Sequence, residues 1–258
     1  MITRQGWPIG ICSWSLGCGH DGMAVAMKEL GIAHVHLEFR RRPQPDWVVT
    51  STMVGFPQED YSTLDSIRRT GGIAPDAAWA GNRKVFSEAA KVTADIGVKF
   101  LSMHAGFIDH TDASYAAKFH DRIRDLADIA GELGITVLLE TGQESAADLR
   151  RFMETLNHPA LGINFDPANM ILYDKDEPKS AVRILAPWVR HVHIKDALRT
   201  KVPGQWGREV PWGTGEVDAK EFISALQATG YQGALAIERE GGGSRMADIK
   251  SAIQLLMA

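Results

Sequence analysis

The chain has 258 residues, 45% hydrophobic and 23% charged, with acids and bases mixed and a formal net charge of −4. That balance supports a full-sized buried core and excludes the basic stripe of a nucleic-acid binder. No apolar run reaches the about 18 residues of a membrane span, the N-terminus MITRQGWPIG lacks the apolar core of a secretion signal, and Cys12 and Cys18 are too few for a disulfide framework. A cytoplasmic protein with free thiols is expected.

The first predicted strand is PIGICSW at 8–14. A helical run then leads through KELGIAHVHLEF at 28–39 into the second, and VVTSTMVGF at 48–56 supplies the third. The fourth ends ADIGVKFLSMHAG at 94–106. Residues 113–133 read as a helix, with Ala116, Ala117, Phe119, Ile123, Leu126, Ile129 and Ala130 as its apolar stripe. Strands five and six lie in GELGITVLLETG at 131–142 and HPALGINFDP at 158–167. WVRHVHIKD at 188–196 and ATGYQGALAIERE at 228–240 complete the series. Most connections have helical periodicity, so strands alternate with helices and the sheet is parallel. Eight such units in a chain of about 250 residues match one closed (β/α)₈ barrel, read here as a single domain over 1–258. The open doubly wound alternative lacks a GxGxxG turn after any strand.

Alternate residues of a strand face opposite sides. In RHVHIKD, His191, His193 and Lys195 share one face, opposed by Val192 and Ile194. Asn164 and Asp166 share a face in GINFDP, as do Leu138 and Glu140 in VLLETG, Ala236 and Glu238 in ALAIERE, Ser102 and His104 in KFLSMHAG, and His34, His36 and Glu38 in HVHLEF. At least one of His34 and His36 is interior packing. A barrel makes the constant apolar face the outer one and directs the polar face into the C-terminal mouth, where active sites form. Neighbouring carboxylates there repel. A divalent cation relieves that cost, and carboxylates with one imidazole suit Mn²⁺ or Mg²⁺, then Co²⁺, better than Zn²⁺. The plain alternative is that each acid is a separate cap or ion-pair partner.

With LLETGQES, NFDPANM, HVHIKDA and GYQGALAIERE in view, the chain resembles the sugar phosphate isomerase/epimerase superfamily, the xylose isomerase-like TIM barrels. These include ketose 3-epimerases, inosose dehydratases and hydroxypyruvate isomerases, and the resemblance runs along essentially the whole chain. It implies one metal held by Glu140, Asp166, His193 and Glu238, the second His of HxH being the ligand. It also implies an Arg six residues beyond that His, where Arg199 stands. Two positions depart from the epimerase pattern: Asn169 replaces a His, and Ala146 replaces a substrate-gripping Glu, with Gln143 and Glu144 nearby.

The implied activity is isomerisation or epimerisation of a sugar or keto-sugar through an enediolate, with Glu140 and Glu238 as the acid/base pair. A lyase that removes water from a keto-polyol is the alternative. A metal-free binding barrel and an endonuclease-like barrel are further rivals; the charge and the single ligand set argue against the second. His104, Gln143, Asn169, Lys195, Arg199 and Trp206 are the expected substrate contacts. Residues 199–216, RTKVPGQWGREVPWGTGE, form a long loop after strand seven that is expected to cover the mouth, with Trp206 nearer the metal than Trp212. No Gly-rich phosphate signature stands in that loop, which favours an unphosphorylated substrate. The expected partner is a small sugar-like molecule, with neither nucleic acid nor membrane, and a homo-oligomer is compatible with the reading.

Overall fold

Strands with an apolar outer face and helices long enough to cover it are satisfied together when the sheet closes on itself. The computed structural model describes residues 3–108 and 111–258. Its barrel strands are β1 (Trp7–Cys12), β2 (His34–Glu38), β3 (Val48–Val54), β4 (Phe100–Met103), β5 (Thr136–Glu140), β6 (Leu161–Phe165), β7 (Val189–Ile194) and β8 (Leu235–Ile237). Each runs parallel to its neighbour in sequence, and β8 pairs with β1 to close the ring. The expected (β/α)₈ barrel is therefore the fold.

The helices are α1 (His20–Leu30), α2 (Leu64–Thr70), α3 (Asp76–Asp95), α4 (Ala113–Glu132), α5 (Ala146–Leu156), α6 (Pro167–Leu172), α7 (Pro178–Leu185), α8 (Ala219–Ala228) and α9 (Arg245–Met257). Residues 39–47 carry β2 into β3 without a helix, so one of the seven connections between successive barrel strands is a bare loop. Outward residues such as Ile11, Leu37, Met103, Leu139, Phe165, Ile194 and Ile237 are almost wholly buried. Helix aromatics cover them; the rings of Phe165 and Phe222 stack 5.8 Å apart. Among the described residues no helix is long and apolar enough to cross a membrane.

Helix α4 shows where periodicity alone falls short. Phe119, Ile123, Leu126 and Ala130 are buried as expected, but Ala117 is exposed and Arg122 sits in the buried stripe. The Arg122 guanidinium is satisfied there by the carbonyls of Ile73 and Ala74 and the carboxylate of Asp76. A buried charge is tolerated when hydrogen-bonded in this way.

Two register shifts fall beside inward-facing side chains, between Val35 and His36 against β3 and between Ile163 and Asn164 against β7. Such bulges re-aim the side chains around them. Both adjust the positions from which His36 and Asn164 reach the centre.

Candidate metal centre and active site

Parallel strands all end on one face of the barrel, so side chains at their C-terminal ends meet there. Glu140 is the last residue of β5, Asp166 follows β6, His193 lies on β7 and Glu238 follows β8. One donor atom from each lies within 4.8 Å of all the others. His193 Nδ1 is 3.5 Å from Glu140 Oε1, 3.7 Å from Asp166 Oδ2 and 3.3 Å from Glu238 Oε2. Donors bonded at about 2.1 Å to one octahedral cation sit roughly 3 Å apart along an edge, so the cluster is close to a coordination shell. Asp166 is the N-cap of α6, and its Oδ1 accepts the amides of Ala168 and Asn169. Its Oδ2 and His193 Nδ1 are buried without a hydrogen-bond partner. Two orphaned donors facing each other among carboxylates fit a divalent cation, which removes the cost of leaving them unpaired.

A layer beneath fixes the imidazole. His36 Nε2 lies 3.2 Å from the Thr52 carbonyl, and His36 Nδ1 lies 2.9 Å from His193 Nε2. Since a carbonyl only accepts, His36 donates through Nε2 and accepts at Nδ1. His193 therefore bears an N–H on Nε2, which makes Nδ1, the atom facing the carboxylates, the one that would give its lone pair to a cation. Burial, with the charge of His193, pushes His36 down to about 3, so its ring stays neutral. The Asn164 amide lies 3.2 Å from Glu140 Oε2 and its oxygen 3.0 Å from His191 Nδ1. His191 also meets Thr50 Oγ1 and is 1% exposed, which places it in the layer below the cavity and not in its wall.

Charge is unevenly distributed around the cluster. Burial opposes ionisation of Glu238, but the charges of Lys195 and His193 hold it well below the usual carboxylate range. Lys195 Nζ is 2.8 Å from Glu238 Oε2, and the Trp14 indole N–H donates to Oε1 at 2.6 Å. Glu140 accepts hydrogen bonds from the neutral amides of Asn164 and Asn169, at 3.2 and 3.1 Å, and has no Lys or Arg beside it among the described residues. Against its burial, His104 and His193 keep its pKa lowered. Burial raises Asp166 to about 6, and raises Cys12 to about 12, so Cys12 is a thiol beside His193. Burial would lower His193, but the carboxylates of Glu238 and Glu140 outweigh it and raise the ring. The arrangement can hold a cation, polarise an oxygen on it, and offer two carboxylates to the same bound molecule.

A cavity of about 590 Å³ opens above the cluster. His104, Asn169, Lys195 and Trp206 line it, with His104 Nε2 3.7 Å from Glu140 Oε1. Two expected contacts lie elsewhere. Arg199 turns to Asp174 at 2.6 Å and Glu177 at 3.1 Å, because acids of the α6–α7 connection claim its guanidinium. Gln143 is buried with Nε2 unpartnered and lines a neighbouring cavity of about 390 Å³ with Glu144. Ala146 is fully buried in α5. Trp206 lines the main cavity, 4.7 Å edge-on to Tyr173, whereas Trp212 packs at 6.2 Å against Phe222 on α8. From residues 199–216, Arg208–Val210 pairs antiparallel with Asp196–Leu198 just before them, and Gly207 and Glu209 join the cavity wall.

Trp14, Met53, Tyr61, Tyr173 and Glu240 also line the cavity without having been singled out as contacts. For Trp14 the signal was present: it stands just past the first strand, where the reading that selected Glu140 and Glu238 also applies. Tyr61 and Tyr173 come from loops and helix ends, where no strand period exists to place them.

The family described as Xylose isomerase-like TIM barrel matches residues 26–258. A ketose 3-epimerase of Arthrobacter globiformis is 28% identical over 171 residues, which is 60% of this chain and 54% of that protein. The chain thus spans about half the length of that relative. An L-ribulose-5-phosphate 3-epimerase of Salmonella heidelberg is 24% identical over 261 residues, covering 92% of this chain and 88% of that one. Among solved structures, a xylose isomerase domain protein from Planctomyces limnophilus superposes with a TM-score of 0.88 at 32% identity, covering 98% and 96% of the two chains. Family match, barrel and whole-length likeness agree, and the chain belongs to the xylose isomerase-like TIM barrel family.

Proposed function

We propose that this protein is a divalent-metal-dependent isomerase or epimerase of a sugar or keto-sugar, with Glu140, Asp166, His193 and Glu238 as ligands and Glu140 and Glu238 as the acid/base pair. The observation that carries the reading is the convergence of four buried donors, two of them orphaned, beneath a cavity that Glu238 lines. The epimerase names of its sequence relatives supply the reaction class. A divalent cation in this donor set, Mn²⁺ or Mg²⁺ by its chemistry, supplies the Lewis acidity that stabilises negative charge developing on a substrate carbonyl.

The chain's own groups do the rest. Asn169 and His104 border Glu140 and hold substrate oxygens on that side, with Tyr173 at the end of the helix that carries Asn169 and Trp206 against Tyr173. Glu140 and Glu238 stand on strands three places apart round the ring, so they address a bound carbon from different sides. One removes the proton beside the carbonyl to give an enediolate and the other returns a proton. Return to the opposite face inverts the carbon; return to the adjacent carbon interconverts aldose and ketose.

One contact favours a second reading. Lys195 Nζ holds protons 2.8 Å from Glu238, where it can protonate a leaving hydroxyl and turn the same enediolate towards dehydration. The test is proton NMR in D₂O of metal-loaded protein with a panel of keto-sugars and inososes. Solvent deuterium at a single carbon with inversion or isomerisation supports the primary reading, and loss of water supports the second. Absence of exchange across the panel would remove both.

A further inference from the structure

We infer that the substrate is uncharged, a keto-sugar bearing neither phosphate nor carboxylate, because the outer cavity is built from carboxylates and aromatic faces. This rests on the keto-sugar reading above. Glu38, Glu59, Glu209 and Glu240 line the cavity beyond the cluster, and Lys195 is the one Lys or Arg among the described residues lining it. That lysine is already engaged, 2.8 Å from Glu238 and 3.0 Å from Glu240. Glu209 is held by Arg239 at 2.6 Å from behind. Glu38 has only Arg40, 3.5 Å away and 57% exposed, where water screens the pair. Glu59 accepts the backbone amides of Phe56 and Gly72 and faces no cation at hydrogen-bond distance among the described residues.

A bound phosphate needs cations or converging N–H groups, and this rim offers acceptors instead. Hydroxyl groups suit it, since each sugar O–H can donate to a carboxylate oxygen. Trp14, Tyr61, Tyr173 and Trp206 add flat apolar surface of the kind the carbon face of a sugar covers. The relative from Salmonella heidelberg is named for a phosphorylated ketose. The distal end of this cavity fits the unphosphorylated counterpart.

The experiment pairs ketoses with their terminal phosphate esters, L-ribulose with L-ribulose 5-phosphate first, titrated calorimetrically into protein loaded with Mg²⁺ and freed of unbound metal. Each ester is expected to bind about tenfold or more weakly than its ketose at low salt, since like charges brought together disfavour the complex. The gap should narrow as ionic strength rises, and again in a Glu38→Gln/Glu240→Gln variant. An ester that binds as tightly as its ketose overturns the inference, as does a gap indifferent to both salt and substitution. Ketose binding with the expected order but without deuterium exchange would sink the enzymatic reading and leave the charge preference standing. If no ketose or ester of the panel binds, both are overturned.

Discussion

His36→Phe tests whether the layer beneath the cluster tunes it. The substitution keeps a ring of similar shape against Trp14 and His191, whose centroids lie 5.1 and 4.7 Å away. It removes the acceptor 2.9 Å from His193 Nε2. The His193 proton is then free to move to Nδ1, the atom that faces the carboxylates, and loss of such an outer partner typically weakens metal binding about 10- to 100-fold. Metal present at 100 times the wild-type Kd stabilises the protein by about 2.7 kcal/mol, and the same concentration stabilises the variant by only about 1.4 to 0.4 kcal/mol. For a chain of this size the rise in Tm on adding Mn²⁺ should therefore shrink by roughly 3–9 °C. Calorimetric titration with Mn²⁺ gives the affinity, and melting with and without chelator gives the linked stability. A Kd within twofold of wild type, with the variant merely less stable in both states, would refute the tautomer argument.

Glu140→Gln and Glu238→Gln should each retain metal yet lose turnover by about 10²- to 10⁴-fold, measured as deuterium exchange; excess Mn²⁺ should rescue Asp166→Asn in part but not these two. As pH rises above about 6.5 the chelated protein should lose stability. Folding raises Glu144 to about 7 and His193 above its ordinary value, so each contribution is fully present below the unfolded pKa and lost as pH climbs through the folded one, whereas the lowered His34, His36 and His191 act in the opposite sense only below that pH. A Tm that rises over this interval would contradict the assignment. Asp196→Asn should loosen the segment after β7, because both Asp196 oxygens accept backbone amides: Oδ1 those of Ala197 and Val217, Oδ2 those of Gly213 and Gly215. Putting an amide donor there costs about 1–3 kcal/mol, and limited proteolysis should then cut within 199–216 sooner than in wild type.

The barrel was readable because its cause is local. Apolar residues on one face of each strand recur whatever the chain does elsewhere, and RHVHIKD or GINFDP announce both their strand and its inner face. Depth was not readable. His191 and His193 share a face, yet residues two apart on a strand are separated by about 6.6 Å along it, enough to put one in the packed layer and the other in the cluster. Side-chain partners chosen across the fold were equally hidden. Nothing near Arg199 in sequence shows that Asp174 and Glu177 will claim its guanidinium, and nothing in the 113–133 periodicity shows that Arg122 will find three acceptors inside.

All four donors come from β5 to β8, whereas Trp14, Glu38, Met53, Tyr61 and His104 come from the ends of β1 to β4 and the loops that follow them. On the proposed function, the second half of the barrel holds the means of reaction and the first half much of the shape that a substrate must match. On the same proposal, inherited change in the first half can redirect the protein to a new sugar while the reaction itself is passed on intact. His36 and Trp14 are the exceptions, first-half residues that hydrogen-bond to the donors His193 and Glu238, and they mark the points at which such drift, or an exchange of half-barrels between relatives, has to stop.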